Sequence, residues 1–507
     1  MINYLRCYTC NTSASRDLTA SHRANIYISY LTTTHMKRIY VILLLITIGC
    51  IAQKPPHFGE CLPEDVVLSV NQEETIAFSC VASDPDTEEL EYTWYVNGEE
   101  VSDNQWYNFT MDAGEYTVSL EVSDGTTIIS RQWNVTVLGS PNFEKVQNRL
   151  ERIRGLKFLE PVNRIVIDRT QLRQNLMIDL EEDREDIEIE RNIYVALHVM
   201  EPGTDLYQVY IDLLTTQVAS YYDTEDHTFY EVVDPDEPVI YREFIAAHEF
   251  VHALQDQYHY LDHEFDNDDE QLAFLCVVEG DAVFHQYMYL DEMTSMETRN
   301  LFTYIGNLDI PVVNVLLENL IMLRYDLGLK FVVEMSISGI DNLYEKLPLS
   351  TEQVMHPEKY RTYERPILVE IPSIPGWEQL AHNVLGEAVL QTILKEHIDV
   401  QTAAEAAQGW GGDSYGYYEK GDNYLFLMNT FWDTQEDAAE FFEAYYDFTL
   451  SWSEENIEKI SENMYETPTG FLALVQRGNQ VFIAESPSLE AVTEALSTLT
   501  VNLQLIV

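Results

Sequence analysis

The chain of 507 residues carries 86 acidic against 29 basic side chains, a formal net charge of −57. That excess excludes nucleic acid as a partner, because phosphate binding needs a basic face, and it matches proteins kept hydrated in strong salt. Disorder is excluded as well, since 46% hydrophobic and 12% aromatic residues are ample for packed cores, and a chain this long folds as roughly two to four domains.

Residues 1–35 show no clear periodicity and read as an upstream extension ahead of a true start at Met36. Lys37 and Arg38 then lead into the apolar run 39–48, which is too short to span a bilayer comfortably and reads as a secretory h-region. Thr47-Ile48-Gly49-Cys50 resembles a lipobox, although its first position is usually aliphatic and here is Thr47. The resemblance implies export and a lipid anchor at Cys50, with an uncleaved signal anchor as the alternative. Segment 36–52 is thus signal peptide and lipobox, and 53–59 is a Pro-containing linker. With translation starting at Met36, the Cys7/Cys10 pair never enters the protein.

From 60 to 139 the period becomes that of strands: residues 75–80, 91–96, 115–122 and 132–137 alternate apolar with polar side chains. Asp84-Pro85-Asp86, Asn97-Gly98 and Asp124-Gly125 mark turns between them, and evenly spaced short strands of this kind predict a β-sandwich. The first of these turns, Tyr92-Thr93-Trp94 and the run 122–125 resemble PKD or immunoglobulin-like modules. Cys61 and Cys80 flank the first strands and can bridge outside the cell. With no catalytic cluster, this domain reads as a spacer or a surface-adhesion module.

Residues 142–375 form the next domain, with helices predicted over 142–154 and about 169–190. The acidic run 179–190 lacks the glycine and ligand spacing of a calcium loop and reads as a solvated face. Strands at 218–223 and 228–233 flank a polar turn. Such a hairpin either offers an unpaired edge to an extended peptide or merely covers the helix that follows.

That helix carries H-E-x-x-H at 248–252. Two histidines four apart rise on one helical face and can reach one ion, while Glu249 is placed to take a proton from the metal's water. Apolar residues at Phe244, Ile245, Val251 and Leu254 predict an amphipathic helix buried on one side. Zinc needs a third protein ligand. The metzincin spacing would require a glycine and a histidine at Gln255 and Tyr258, and His259 is about 16 Å along the helix from His248. Glu279, in an apolar helical run, is the better ligand, because an unpaired carboxylate there would be costly.

His248, Glu249, His252 and Glu279 together resemble the gluzincin metallopeptidases, in which two helices supply H-E-x-x-H and a glutamate. The strings HALQDQ (252–257), EGDA (279–282), STEQ (350–353) and GWGGD (409–413) resemble a family of secreted prokaryotic proteins with the same zincin core, from about residue 145 to near the C-terminus. The resemblance implies a helical α+β zincin domain holding Zn2+.

The polar stretch 262–269 predicts a loop that reverses the chain, so that the second metal helix packs antiparallel on the first. Asp281 is placed either to accept a ring N–H of His248 or His252 or to lie on the helix surface. The helical stretch 288–347 forms a cleft wall without visible chemistry. His356, well downstream, is the candidate donor to an oxyanion, with His382, His285 and nearby tyrosines behind it. Residues 376–507 alternate helices with strands as an α+β portion, in which 409–413 can shape a loop near the substrate but lacks phosphate-loop spacing.

These readings converge on a multidomain protein: an exported, surface-anchored zinc metallopeptidase acting on a peptide or protein substrate, with His248, His252 and Glu279 as ligands and Glu249 and His356 as catalytic residues. Membrane association runs through the N-terminal anchor, and the oligomeric state is left open. The other reading is a catalytically idle zincin used for adhesion, which the retained Glu249 disfavours.

Overall fold

The computed structural model describes residues 54–72, 75–234, 237–259, 261 and 263–504. The expectations for Met36, the signal segment and Cys50 therefore lie outside the described residues, as does the Cys7/Cys10 pair. Among the described residues no helix is long and apolar enough to cross a membrane. The chain is multidomain α+β and divides between Ser140 and Pro141 into two compact units.

The first unit holds eight strands: β1 (His57–Leu62), β2 (Val67–Asn71), β3 (Ile76–Ser83), β4 (Glu91–Val96), β5 (Glu99–Ser102), β6 (Trp106–Phe109), β7 (Gly114–Ser123) and β8 (Ile128–Leu138). They form one sheet of order β1-β3-β6 and another of order β2-β8-β7-β4-β5. Inward residues at every second position share one core: Phe78 from the first sheet meets Trp94 and Trp133 of the second, with ring centroids 6.0 and 5.2 Å away. The predicted β-sandwich is present. Asn97 and Gly98 make the β4–β5 turn with φ of 50° and 83°, a left-handed pair that asparagine and glycine adopt most readily. Cys61 and Cys80 are bridged.

The second unit opens with α1 (Phe143–Arg154), β9 (Asn163–Ile167), α2 (Arg169–Glu182), α3 (Arg184–Ala196) and α4 (Leu206–Gln217). The single helix expected over 169–190 is two, broken at Asp183, and residues 181–186 of the acidic run are exposed. Next come β10 (Ser220–Asp223) and β11 (Thr228–Val232), then the long helices α5 (Val239–His259), α6 (Asp268–Asp291), α7 (Ser295–Asn307) and α8 (Val315–Met335). The predicted hairpin is extended by β9, parallel to β11, in the order β10-β11-β9, so β10 is an edge.

Helix α5 is buried nearly all round, more than the one apolar face foretold: Tyr241 through Val251 are all below 9% exposed. Its charges have partners, as burial demands. Arg242 Nε donates to Glu231 at 2.8 Å, and Glu243 accepts from the Asn142 N–H at 2.9 Å.

The chain closes with α9 (Asp341–Glu345), α10 (Thr351–Met355), α11 (Pro357–Thr362), β12 (Glu378–Asn383), α12 (Gly386–Leu394), α13 (Val400–Ala407), β13 (Trp410–Lys420), β14 (Asn423–Trp432), α14 (Gln435–Trp452), β15 (Glu458–Ser461), β16 (Met464–Thr467), β17 (Gly470–Arg477), β18 (Gln480–Ser486) and α15 (Leu489–Gln504). Its strands build one seven-stranded sheet of order β12-β13-β14-β18-β17-β16-β15. Phe426, Met428, Leu472 and Leu474 point to α12, α13 and α14, while Leu425, Leu427, Ala473 and Val475 point to α15. Both faces are buried, which explains why these strands read as apolar runs rather than as clean alternation.

Candidate metal centre

Helices α5 and α6 run antiparallel, since Gln286 Nε2 donates to the Phe244 carbonyl near one end and Gln255 Nε2 to the Val278 carbonyl near the other. Between these clamps, His248 and His252 of α5 meet Glu279 of α6. The two Nε2 atoms are 3.0 Å apart, and Glu279 Oε2 is 3.1 Å from the first and 3.5 Å from the second. These residues form a group that can hold a metal ion.

The donor set fits a divalent cation. Ligands on one tetrahedral zinc, with bonds of about 2.0–2.1 Å, stand about 3.3 Å apart, and the three observed separations bracket that value. His252 Nδ1 lies 2.8 Å from Gln255 Oε1, an acceptor, which places a ring proton on Nδ1 and would leave Nε2 to a metal that displaced the second ring proton. His248 Nδ1 is buried without a partner among the described residues. Burial pulls the His248 ring down to about 4, so it is neutral, the form a ligand requires. On His252 burial acts the same way but is outweighed by the Glu279 carboxylate, and the ring is pushed up to about 9. Glu279 draws positive charge to the point where a cation would be held.

Glu249 is 5% exposed, and its Oε2 accepts the Tyr222 N–H of edge strand β10 at 3.1 Å. Burial, with the Glu279 charge adding to it, pushes the Glu249 carboxyl up to about 8. All four residues open on one cavity of about 470 Å3, walled by α4, β10, α5, α6 and α8. Residues 220–222 line it, so the hairpin is part of the cavity wall.

Beneath the ligands, Asp281 does not touch either histidine. Its Oδ2 accepts from Gln255 Nε2 at 3.0 Å and from the Tyr344 hydroxyl at 2.8 Å, and its Oδ1 pairs with His285 Nδ1 at 2.7 Å. Burial alone would raise its pKa, but His285 and then Arg154 hold it well below the usual carboxylate range. Asp281 therefore reaches His252 only through Gln255, and being fully buried it does not lie on the helix surface.

His356 does not line the cavity. Its Nε2 is 2.9 Å from Glu387 Oε1 at the junction of α10 and α11, so the structure does not bring it together with the other candidate residues. His285 belongs to the Asp281 network, and His382 pairs with Ser414 Oγ at 2.9 Å. The hydroxyl that does face the ligands belongs to Tyr325 of α8, whose ring centroid lies 6.3 Å from that of His248. Burial, then the Glu279 charge, push this hydroxyl well above the usual tyrosine range.

Tyr325 reaches the centre because α8 packs closely on α6. A Cβ on Gly280 would overlap the Gly328 carbonyl, and one on Gly328 the Cys276 carbonyl. The α8 wall therefore carries chemistry that the sequence reading missed. The signal was Arg324-Tyr325-Asp326, a polar interruption beside a glycine in an apolar helix.

The strings 350–353 and 409–413 lie elsewhere and do structural work. Asp269 Oδ1, near the start of α6, accepts from Thr351 N at 3.1 Å and Thr351 Oγ1 at 2.5 Å, and Thr351 Oγ1 accepts from Ala388 N at 3.2 Å. Asp413 accepts from the N–H groups of Leu385 and Gly386 at 2.9 and 2.8 Å and from Trp410 Nε1 at 2.9 Å, which caps α12. Gly386, with φ 76°, leaves no room for a Cβ against Asp269, and Gly412 none against the Ile367 backbone. Residues 409–413 are thus the buried start of β13 with its turn, not a loop at the cavity.

The profile of a domain of unknown function (DUF8575) matches residues 375–496. No curated protein matches the chain. Among solved structures, the fibronectin(III)-like modules of CbhA from Clostridium thermocellum are 15% identical, over 17% of this chain and 47% of that one, with a TM-score of 0.15. A glucan-utilisation protein, SGBP-B, from Bacteroides ovatus is 19% identical over 17% of this chain and 24% of its own, with a TM-score of 0.14. A three-Ig fragment of titin is 17% identical over 23% and 39%, also with a TM-score of 0.14. The chain spans less than half the length of each of these three.

Proposed function

We propose that this chain is an exported zinc metallopeptidase of gluzincin type, tethered at the cell surface through Cys50 and acting on a peptide or protein substrate. The observation that carries the reading is the convergence of His248, His252 and Glu279 at the base of a cavity, with buried Glu249 beside them.

Zinc bound by these three residues supplies Lewis acidity and lowers the pKa of water near it. Glu249 takes the proton from the attacking water on its carboxylate and delivers it to the leaving amine nitrogen. The Tyr222 N–H fixes the orientation of that carboxylate. Tyr325, which lines the cavity beside His248, is the candidate to donate to the developing oxyanion, the role the sequence gives to His356. Edge strand β10, along the cavity wall, offers main-chain groups to an extended substrate. The Cys61–Cys80 bridge supports an oxidising, extracytoplasmic compartment, with the β-sandwich as spacer.

The test compares zinc-loaded wild type with Glu249→Gln on a peptide library in molar salt. Wild type is expected to cleave, and the variant to keep its zinc while losing at least about 10³-fold in kcat/KM. Equal rates in the two proteins overturn the reading, and no cleavage by wild type leaves the idle adhesion module.

A further inference from the structure

Of the side chains lining the metal cavity, Arg324 is the one arginine or lysine. Among the described residues it has no hydrogen-bond or ion-pair partner, and its Nε is buried without one. In a chain with 86 acidic residues that isolation is informative. The other half-buried or buried arginines of this unit each meet a side-chain acceptor: Arg154 and Arg242 meet Asp281 and Glu231, Arg169 and Arg173 meet Asp234 and Asp212, Arg149 meets the Tyr289 hydroxyl and Arg191 the Asn192 amide. A guanidinium has five donors in a fixed fork, and the buried Nε leaves one of them without an acceptor, which is costly.

The position of Arg324 indicates what the acceptor is. It precedes Tyr325 on α8, which the Gly280–Gly328 contact holds against α6. It also stands where the metal cavity adjoins a second pocket of about 330 Å3, lined by Leu317, Leu320 and Ile321 and, as polar members, by Asp183, Tyr194 and Tyr210. A group in that pocket would lie beside the cavity that Glu249 lines. The chain's negative charge would otherwise repel an acidic ligand, so a lone unpaired cation here selects for one locally.

We infer that Arg324 is a specificity-determining residue that receives a carboxylate of the substrate, from an acidic side chain near the scissile bond or from a C-terminal carboxylate. This rests on the peptidase reading for its substrate class. Bidentate pairing of guanidinium with carboxylate supplies both affinity and register.

The experiment measures binding, so it does not depend on turnover. Zinc-loaded full-length Glu249→Gln, which holds substrate uncut, is titrated calorimetrically with three matched peptides: one with a glutamate side chain and amidated end, its glutamine counterpart, and the glutamine peptide with a free C-terminal acid. One of the two carboxylate peptides is expected to bind at least about 10-fold tighter than the neutral one, and which one does so identifies the source. In the double variants Glu249→Gln/Arg324→Gln and Glu249→Gln/Arg324→Lys the preference is expected to vanish with Gln and to survive in part with Lys. Unchanged zinc content and melting temperature in both double variants show that the fold is intact. A preference that persists without Arg324 assigns the carboxylate to the metal and overturns the inference. Equal binding, or no binding, of all three peptides overturns it as well. Cleavage of the neutral peptide by wild type, measured alongside, keeps the peptidase reading alive if this inference fails.

Discussion

Two clusters of buried polar residues sit in the second unit, and they are built on opposite plans. At one, Asp269, Thr351 and Asp413 exchange hydrogen bonds with backbone N–H groups of α10 and α12, and none of the three lines the metal cavity. At the other, His248, His252 and Glu279 aim their acceptor atoms at one point beside a cavity, with Glu249 and Arg324 on its walls. Residues that look alike in sequence thus divide by whether their polar atoms are consumed inside the fold. A satisfied cluster rigidifies, and a convergent, unspent one is available for chemistry.

Substitutions can break this contrast. Asp269→Ala is expected to have the largest effect, a loss of about 4 kcal/mol, because it strands the Thr351 N–H and hydroxyl in a fully buried place. Urea unfolding measures this loss, and metal bound per folded chain stays unchanged. Gly280→Ala is expected to cost about 3 kcal/mol, since the new methyl would force α8 away from α6. A melting curve like that of wild type would contradict that packing.

The Asp413 carboxyl gives the contrast a pH signature. Burial lifts it to about 6, above an unfolded value of about 4, so between these values the folded chain binds more protons than the unfolded one. This group's contribution to stability therefore declines as pH rises from about 4 to about 6. Asparagine does not titrate, so the destabilisation caused by Asp413→Asn is expected to be greatest near pH 4 and to shrink by about 2 kcal/mol by pH 7. Denaturant midpoints of both proteins across that window test it, and a constant difference would contradict it. The smallest effect sharpens the other side: Tyr325→Phe should lower kcat about 10-fold, with stability unchanged.

Much of this was legible before any coordinates. Period-2 alternation located β3, β4, β7 and β8, but β5, with burial falling on no regular face, escaped it. The H-E-x-x-H spacing and the carboxylate in an apolar run identified the residues that converge, because a helix dictates which side chains share a face. What spacing does not report is contact between distant segments. Tyr325 and Arg324 enter the site only through the glycine-to-glycine packing of α6 and α8, and His356 leaves it because Glu387 claims its ring. The string 409–413, expected as a loop near the substrate, is with 350–353 one of the pins that hold α10, α12 and β13 to α6.

The most direct test of the account is the metal content of the purified full chain beside its Glu279→Ala variant, after dialysis against a common zinc buffer. The account predicts one zinc per wild-type chain, and a variant that remains folded while its affinity falls by at least about 100-fold. Wild type without stoichiometric zinc, or a variant that retains it as tightly, would contradict the convergence of these three side chains on one ion.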